Sequence, residues 1–335
     1  MITVALPFKA ERYEGPVRMH GRLLLPLAVA LAATVIAGAA CSTFDGAPAT
    51  ATEDAGGPDA LAETSPDAGV TCSATAAFAA PLFVGGLDNQ EIYSATFSAD
   101  ELRAIIAARI PPASDYHLYA ASRASNVSPF ALGDALTGVQ LGGIQELFAT
   151  ESTDGARLFY ETSFAPATTT QYIYQATRVG DGGYADASEV TALSGTGPEG
   201  VGVPFVARHA SELWFSTATL DADIYRAAIQ NDGSVGAPVR VEELATASNE
   251  TAPVLSSDGL VIYYASARGD GNAKGDLDIW VATRASVDAP FGDLHDVAEL
   301  STTDADFPAW LSSDRCRLYF VRHLGADARL YVAKR

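Results

Sequence analysis

Five passes of one strand pattern run through residues 78–335, and this periodicity constrains the chain more than any single residue. Ile105, Phe159, Trp214, Tyr263 and Tyr319 mark the same point of a strand at intervals of 54, 55, 49 and 56 residues. Tyr119, Tyr174, Tyr225, Trp280 and Tyr331 keep step with them. Repeats of about 50 residues built from short strands predict a β-propeller, one four-stranded blade per repeat. The expected fold is therefore all-β: a five-bladed propeller over residues 72–335, closed by an N-terminal strand.

The fourth repeat is the clearest. Thr251-Ala-Pro-Val-Leu-Ser-Ser reads as an inner strand, with Asp258-Gly259 as a tight turn. Leu260-Val-Ile-Tyr-Tyr-Ala-Ser is the β-branched and aromatic second strand, and Leu277-Asp-Ile-Trp-Val-Ala-Thr-Arg284 the third. Phe291–Leu300 is read as the outer strand. Other repeats copy the order, with third strands such as His117-Leu-Tyr-Ala-Ala-Ser-Arg123 and Tyr172-Ile-Tyr-Gln-Ala-Thr-Arg178, and turns at Ser98-Ala-Asp100, Ser152-Thr-Asp154-Gly155 and Ser312-Ser-Asp314. The third repeat is the most eroded, with Arg208-His-Ala-Ser211 at the turn. The outer strands are expected to carry the apolar pairs Leu136/Val139, Val190/Leu193, Val241/Leu244 and Val297/Leu300. The last repeat stops at Arg335 after its third strand, and Phe78–Leu87, with the same Val-x-x-Leu spacing, is the expected fourth. Such closure hides an edge that an open sheet would expose.

The run Pro253-Val-Leu-Ser-Ser-Asp-Gly-Leu-Val-Ile-Tyr-Tyr-Ala-Ser, with the later Asp-Ile-Trp-Val-Ala-Thr-Arg, resembles the TolB-like propeller repeat. The likeness covers about three quarters of the chain and is strongest in repeats one, four and five. Proteins of that family are usually described as six-bladed, whereas the count here is five. The whole chain is similar to secreted lipoproteins of this type from predatory soil bacteria. That resemblance implies a periplasmic or outer-membrane home, a protein-interaction role and no enzyme.

Residues 23–37 are an apolar run of fifteen behind Arg18 and Arg22, the length of a signal-peptide core and short for a membrane span. Residues 1–40 are thus expected to be a signal peptide, with Met19 as an alternative initiator. Ala37-Gly38-Ala39-Ala40-Cys41 resembles a bacterial lipobox in which Cys41 takes the lipid; ordinary cleavage near Ala40 is the alternative. Residues 41–71 are rich in Ala, Gly, Pro, Thr and Asp and lack Lys and Arg. They bury too little apolar surface to offset their conformational entropy and read as a disordered tether.

With Cys41 lipidated, Cys72 and Cys316 remain as one pair for an oxidising compartment; two buried thiols are the alternative. Strands two and four of a blade run parallel, so Cys316 at the start of one and Cys72 upstream of the other lie at one edge. The chain carries 21 basic and 41 acidic residues, a net charge of −20. That acidity opposes nucleic acid and anionic lipid surfaces, leaving protein or polymer partners, a lipid anchor as the sole membrane contact, and a monomer as the expected state.

Reaction centres are sparse. Gly269-Asp270-Gly-Asn272-Ala-Lys274-Gly275-Asp276-Leu-Asp278 has the alternating oxygen ligands of a Ca²⁺ loop in Asp270, Asn272, Asp276 and Asp278, but Lys274 takes a ligand position and Val281 stands where a bidentate Glu belongs. A solvated loop without cofactor is the expectation. Asp88, Glu91, Glu199, Glu250, Asp304 and Asp306 precede or open inner strands, so they are expected around one mouth of the channel as a binding ring. A glycan-binding or glycan-cleaving propeller is the alternative, with Asp88, Glu146 and Glu199 as its carboxylates. No histidine pair has metal-ligand spacing, and no nucleophile elbow or phosphate loop occurs. Trp310 is the aromatic residue that departs from the blade-packing series, with a wedge between blades as its expected role.

Overall fold

The structure is a computed structural model that describes residues 72–335 apart from 142–144, 164–169, 181, 220, 272 and 326. The expected signal peptide, the lipid-bearing Cys41 and the tether lie outside the described residues. Among these residues no helix is long and apolar enough to cross a membrane.

Strand β1 (Leu82–Phe83) precedes four blades in chain order. The first is β2 (Glu91–Phe97), β3 (Arg103–Arg109), β4 (His117–Ser122) and β5 (Ala131–Ala135). The second is β6 (Gln145–Glu151), β7 (Arg157–Ser163), β8 (Gln171–Val179) and β9 (Gly183–Glu189). The third is β10 (Val201–Ala207), β11 (Glu212–Thr217), β12 (Ile224–Ala228) and β13 (Val239–Arg240). The fourth is β14 (Glu250–Leu255), β15 (Val261–Ser266), β16 (Asp278–Thr283) and β17 (Gly292–Asp296). The fifth is β18 (Ala305–Leu311), β19 (Arg317–Leu324) and β20 (Asp327–Lys334), completed by β1. All five sheets are antiparallel, so the five-bladed propeller closed by an N-terminal strand is what the chain forms.

Second strands are covered on both faces by the neighbouring blades, so they read as unbroken apolar runs rather than alternating ones. Leu158-Phe-Tyr160 and Leu213-Trp-Phe215 are wholly buried. Four of the five blades turn from first to second strand on the same polar device, the third blade being the exception. In Ser98/Asp100, Ser152/Asp154, Ser256/Asp258 and Ser312/Asp314 the serine Oγ donates to the aspartate Oδ1 at 2.5–2.6 Å. The serine hydroxyl holds the Asp100 and Asp154 carboxyls below their ordinary range. The residue after each aspartate lies in the left-handed region; it is Gly155 and Gly259 in two blades, but Glu101 and Arg315 in the two that meet at the closure. The third strand ends in an arginine that donates to a carbonyl of that turn and lies over an aromatic ring: Arg123 on Phe130, Arg178 on Tyr184, Arg284 on Phe291 and Arg335 on Phe78.

The apolar pairs assigned to the outer strands lie just beyond them. Val241/Leu244 and Val297/Leu300 follow β13 and β17, and Val190/Leu193 surrounds a short 3₁₀ turn (Thr191–Leu193). The second member donates its N–H to the carbonyl of the first at 3.0, 3.1 and 2.8 Å in the Val190, Val241 and Val297 pairs. A tight turn, not a strand, brings both side chains inward, and a spacing of three cannot by itself tell these apart. Val139, Leu193, Leu244, Leu300 and Leu87 are thereby buried under the loops that cross to the next blade.

Every inner strand carries a bulge, at Ile92/Ser94, Leu147/Thr150, Gly202/Phe205, Thr251/Val254 and Pro308/Trp310. An inner strand has one unpaired edge facing the channel. Bulges and Pro204, Pro253 and Pro308, which offer no N–H, suit that edge. Residues at or beside the bulges also fill the channel: Tyr93, Phe148, Pro204, Pro253, Phe307 and Pro308 leave about 30 Å³ between them. The channel is thus stopped at mid-height.

Ring closure joins distant parts of the chain. Val332 and Tyr331 pair with Leu82 and Phe83, and Phe83 stacks on Tyr331 at 4.6 Å. Cys72 is bonded to Cys316 across a separation of 244 residues, with Cα atoms 6.0 Å apart. A crosslink over so long a loop contributes up to about 5 kcal/mol by restricting the unfolded chain. Replacing Cys72 and Cys316 together by serine is expected to lower the midpoint of thermal unfolding by roughly 5–15 °C. Melting curves of both proteins check this, and an unchanged midpoint would show that the closing strand holds without its staple.

Candidate functional site

Cross-strand register places Ala107, Glu161, Ser216, Ala265 and Val321 at equivalent points of the five second strands, opposite Ser94, Leu147, Gly202, Thr251 and Phe307. One of the five is a carboxylate. Glu161 is 1% exposed, and its Oε2 accepts the Val203 N–H at 2.9 Å, the one hydrogen bond it receives among the described residues. Burial pushes its carboxyl up to about 7, against the opposing effect of that hydrogen bond. Gly202 makes room for it: a Cβ there would lie 2.3 Å from Glu161 Oε2 and 2.8 Å from Gln171 Oε1. Any side chain at position 202 must therefore displace the carboxyl.

Above the channel stop, this carboxyl lines a cavity of about 610 Å³ at the mouth where the inner strands begin. Tyr93, Phe148 and Phe307 supply aromatic wall, and Gln145, Gln171 and Asn249 supply amides. Ser216 Oγ and Thr251 Oγ1, also in the lining, lie 2.8 Å apart. Asn249 Oδ1 is buried without a hydrogen-bond partner. Burial, and then the Glu161 charge, raise the Tyr93 phenol to about 12, so it is a donor at any ordinary pH. His323 lies between Tyr93 and Phe307, at ring distances of 4.7 and 4.8 Å, and burial pushes its imidazole down, towards the neutral form.

The acidic residues expected as a ring at this mouth are distributed differently. Glu199 is exposed and lines the cavity. Asp88 is exposed on the closing segment, where it accepts the Gly86 N–H. Asp304 is half-buried in the approach to β18. The other three are engaged within their own blades. Glu91 takes Arg109 and the Tyr116 hydroxyl; burial would raise its carboxyl, but these hydrogen bonds hold it below its ordinary value. Glu250, wholly buried, accepts from Thr246, Ser266 and Arg268. Asp306, also wholly buried, pairs with Arg322 at 2.7 Å and is pushed by burial to about 6.

Of Asp88, Glu146 and Glu199, Glu199 alone lines the mouth cavity. Glu146 is buried against His117 Nδ1 at 2.7 Å, its carboxyl raised by burial. In the glycine-rich loop, Asp270 and Asp276 are exposed, Asn272 is outside the described residues, and Asp278 Oδ2 accepts the N–H groups of Lys274 and Gly275 at 2.6 and 3.0 Å. No group of three or more His, Cys, Asp or Glu able to hold a metal ion is present among the described residues. Trp310 is buried at the far end of the channel, beneath the Arg208 guanidinium.

Glu161 and Gly202 were missed because acids were weighed in loops. The signal was present in Arg157-Leu-Phe-Tyr-Glu161, a charge inside an apolar strand whose sister strands carry Ala, Ser, Ala or Val at that point. Because the folded-state value of Glu161 lies above the ordinary one, the folded protein holds this proton more tightly than the unfolded chain. Its contribution to stability is full below pH 4.5 and is lost as pH rises towards 7, on the order of 3 kcal/mol in all. Glu161→Gln is therefore expected to match the parent protein near pH 4.5 and to exceed it in melting temperature at pH 8. Parallel melts across that range check the sign; a variant less stable at pH 8 would show that the ionised form is the one the fold requires.

No family model matches this sequence, and no curated protein matches it significantly. Solved structures share the propeller fold. A family 117 glycoside hydrolase from the marine bacterium Zobellia galactanivorans superposes with a TM-score of 0.52 at 10% identity, over 77% of this chain and 90% of that one. A putative glycoside hydrolase from Parabacteroides distasonis gives 0.47 at 12% identity, over 76% and 93%. TolB from Acinetobacter baumannii gives 0.45 at 15% identity over 73% of this chain, which spans about half of that protein, 54%.

Proposed function

We propose that this propeller is a ligand-binding module whose mouth cavity takes a neutral, hydroxyl-rich group such as the end of a glycan chain. The observation that carries the reading is the cavity itself: about 610 Å³, aromatic on one side, ringed by amides and hydroxyls, and stopped below. That volume falls in the range of small-ligand sites, roughly 300–1,000 Å³. Amides and hydroxyls exchange hydrogen bonds with sugar hydroxyls, while Tyr93, Phe148 and Phe307 offer surface for the apolar face of a sugar ring. A floor closed by Pro204, Pro253 and Pro308 favours a chain terminus over a threaded polymer. The protein partner expected at the same mouth loses support from the acids drawn into the blades, since Glu91, Glu250 and Asp306 are engaged by Arg109, Arg268 and Arg322.

One observation favours a catalytic version of this reading. Glu161 and Glu199 line the same cavity, one buried with a raised carboxyl and one exposed. Two carboxyl groups in such unlike surroundings are what glycoside hydrolysis uses. Anchorage through Cys41, in the periplasm or at the outer membrane, belongs to the same proposal and rests on residues 23–41.

Calorimetric titration with neutral mono- and oligosaccharides tests the reading. Saturable binding is expected, weakened about tenfold by Tyr93→Phe, the loss of one buried hydrogen bond. Release of reducing ends that Glu161→Gln abolishes would establish hydrolysis. Absence of carbohydrate binding, with stoichiometric capture of one envelope protein, would replace the glycan by a protein partner.

A further inference from the structure

The opposite end of the channel holds a second cavity, of about 310 Å³, where the inner strands end and the Ser-x-Asp turns begin. Arg103 and Arg208 both line it. Every other arginine among the described residues has its guanidinium hydrogen-bonded or ion-paired: Arg109, Arg178 and Arg322 to carboxylates, Arg123, Arg157 and Arg335 to carbonyls, and the remainder likewise. Arg103 and Arg208 alone have neither. Arg208 is solvent-exposed and lies over the Trp310 ring, 4.4 Å from its centroid, and Trp310 Nε1 is buried without a hydrogen-bond partner.

In a chain of net charge −20, two guanidinium groups at one cavity without a hydrogen bond or ion pair among the described residues are unexpected if their role is structural. Carboxylates nearby are already engaged. Glu151, which lines the cavity, is paired with Arg178 and receives the Tyr184 hydroxyl. Asp100, within electrostatic reach of Arg103, is held by the Ser98 hydroxyl and the Leu102 N–H, and Asp154 by Ser152 and the Ala156 N–H. Among the described residues no acceptor engages either guanidinium group.

We propose that this second mouth is an oxyanion site in which Arg103 and Arg208 bind a carboxylate, sulfate or phosphate group of a small ligand. Guanidinium groups take such oxyanions through paired, charge-assisted hydrogen bonds, and stacking on Trp310 fixes the plane of one of them. The site lies at the other end of the channel from the first mouth, beyond Pro204, Pro253 and Pro308.

Tryptophan fluorescence of the full propeller, followed during titration with sulfate, phosphate and glucuronate at constant ionic strength, tests the site through Trp310. A saturable change is expected, with Arg208→Gln and Arg103→Gln each weakening it about tenfold or more, as the loss of a charge-assisted contact requires. Lys334→Gln, which removes one exposed positive charge outside the cavity, is expected to leave the titration unchanged. A response to glucuronate alone assigns a carboxylate ligand, and a response to sulfate or phosphate a tetrahedral one. No saturable change, or equal responses in the parent and both arginine variants, would overturn the proposal.

Discussion

Everything in this propeller depends on joining the first blade to the last, because blades held only by face-to-face packing would leave two open sheets at the ends of the row. The strand pairing that does so is short, two residues of β1 on β20. Short ladders are weak, and several side-chain links surround this one. Arg335 donates to the Arg315 carbonyl and covers Phe78, Ala79 donates its N–H to Lys334 at 2.7 Å, and Cys72 is bonded to Cys316. On the other side of the seam, Glu101 is 3% exposed and takes Arg317 Nε and the Tyr319 hydroxyl at 2.9 and 2.7 Å. Its backbone φ of 58° is at a position where two sister turns use glycine. The local strain is outweighed by a buried, doubly hydrogen-bonded charge that ties the first blade to the fifth.

A second constraint follows from the geometry of a ring of strands. Inner strands converge, so their unpaired edges face one another and must be blunted. Here the same bulge, with proline in three blades, does this and fills the space between them. The result is a pair of mouths in place of a pore. Their chemistry is opposite in kind. One is aromatic and amide-lined with a carboxyl that burial pushes up to about 7; the other is polar with two arginines that make no hydrogen bond or ion pair among the described residues.

Much of the architecture is legible in the sequence because the repeat is written in residues that only a stacked blade can bury. Trp214 and Tyr319 mark the second strands, and the Ser-x-Asp turns and third-strand arginines fix the register around them. What the sequence concealed has a physical reason in each case. Val297 and Leu300 sit three apart, a spacing shared by a strand end and a tight turn. Acidic residues were legible as a group and not as individuals. Glu250 and Glu199 occupy similar places before inner strands, yet Arg268 turns the first inward and, among the described residues, nothing comparable holds the second. Such differences depend on partners contributed by a neighbouring strand, which periodicity does not name. Arg103 and Arg208 are equally ordinary in sequence; their lack of partners is visible in three dimensions alone.

The strongest argument that the first mouth is a built site comes from two departures that fit each other. Glu161 interrupts a strand whose four sisters carry Ala107, Ser216, Ala265 and Val321 at the same register, so the blade does not need a carboxyl there. Burying one is costly, and a single N–H from Val203 compensates little of that cost. Gly202, in the adjoining blade, is the second departure, since a side chain would strike both Glu161 and Gln171. Two blades have thus each given up a stabilising choice, an apolar residue in one and a side chain in the other, at one point of their shared surface beneath the cavity. Packing against Glu161 accounts for Gly202 but not for Glu161 itself, and a ligand that uses the carboxyl is what the proposed function offers in its place.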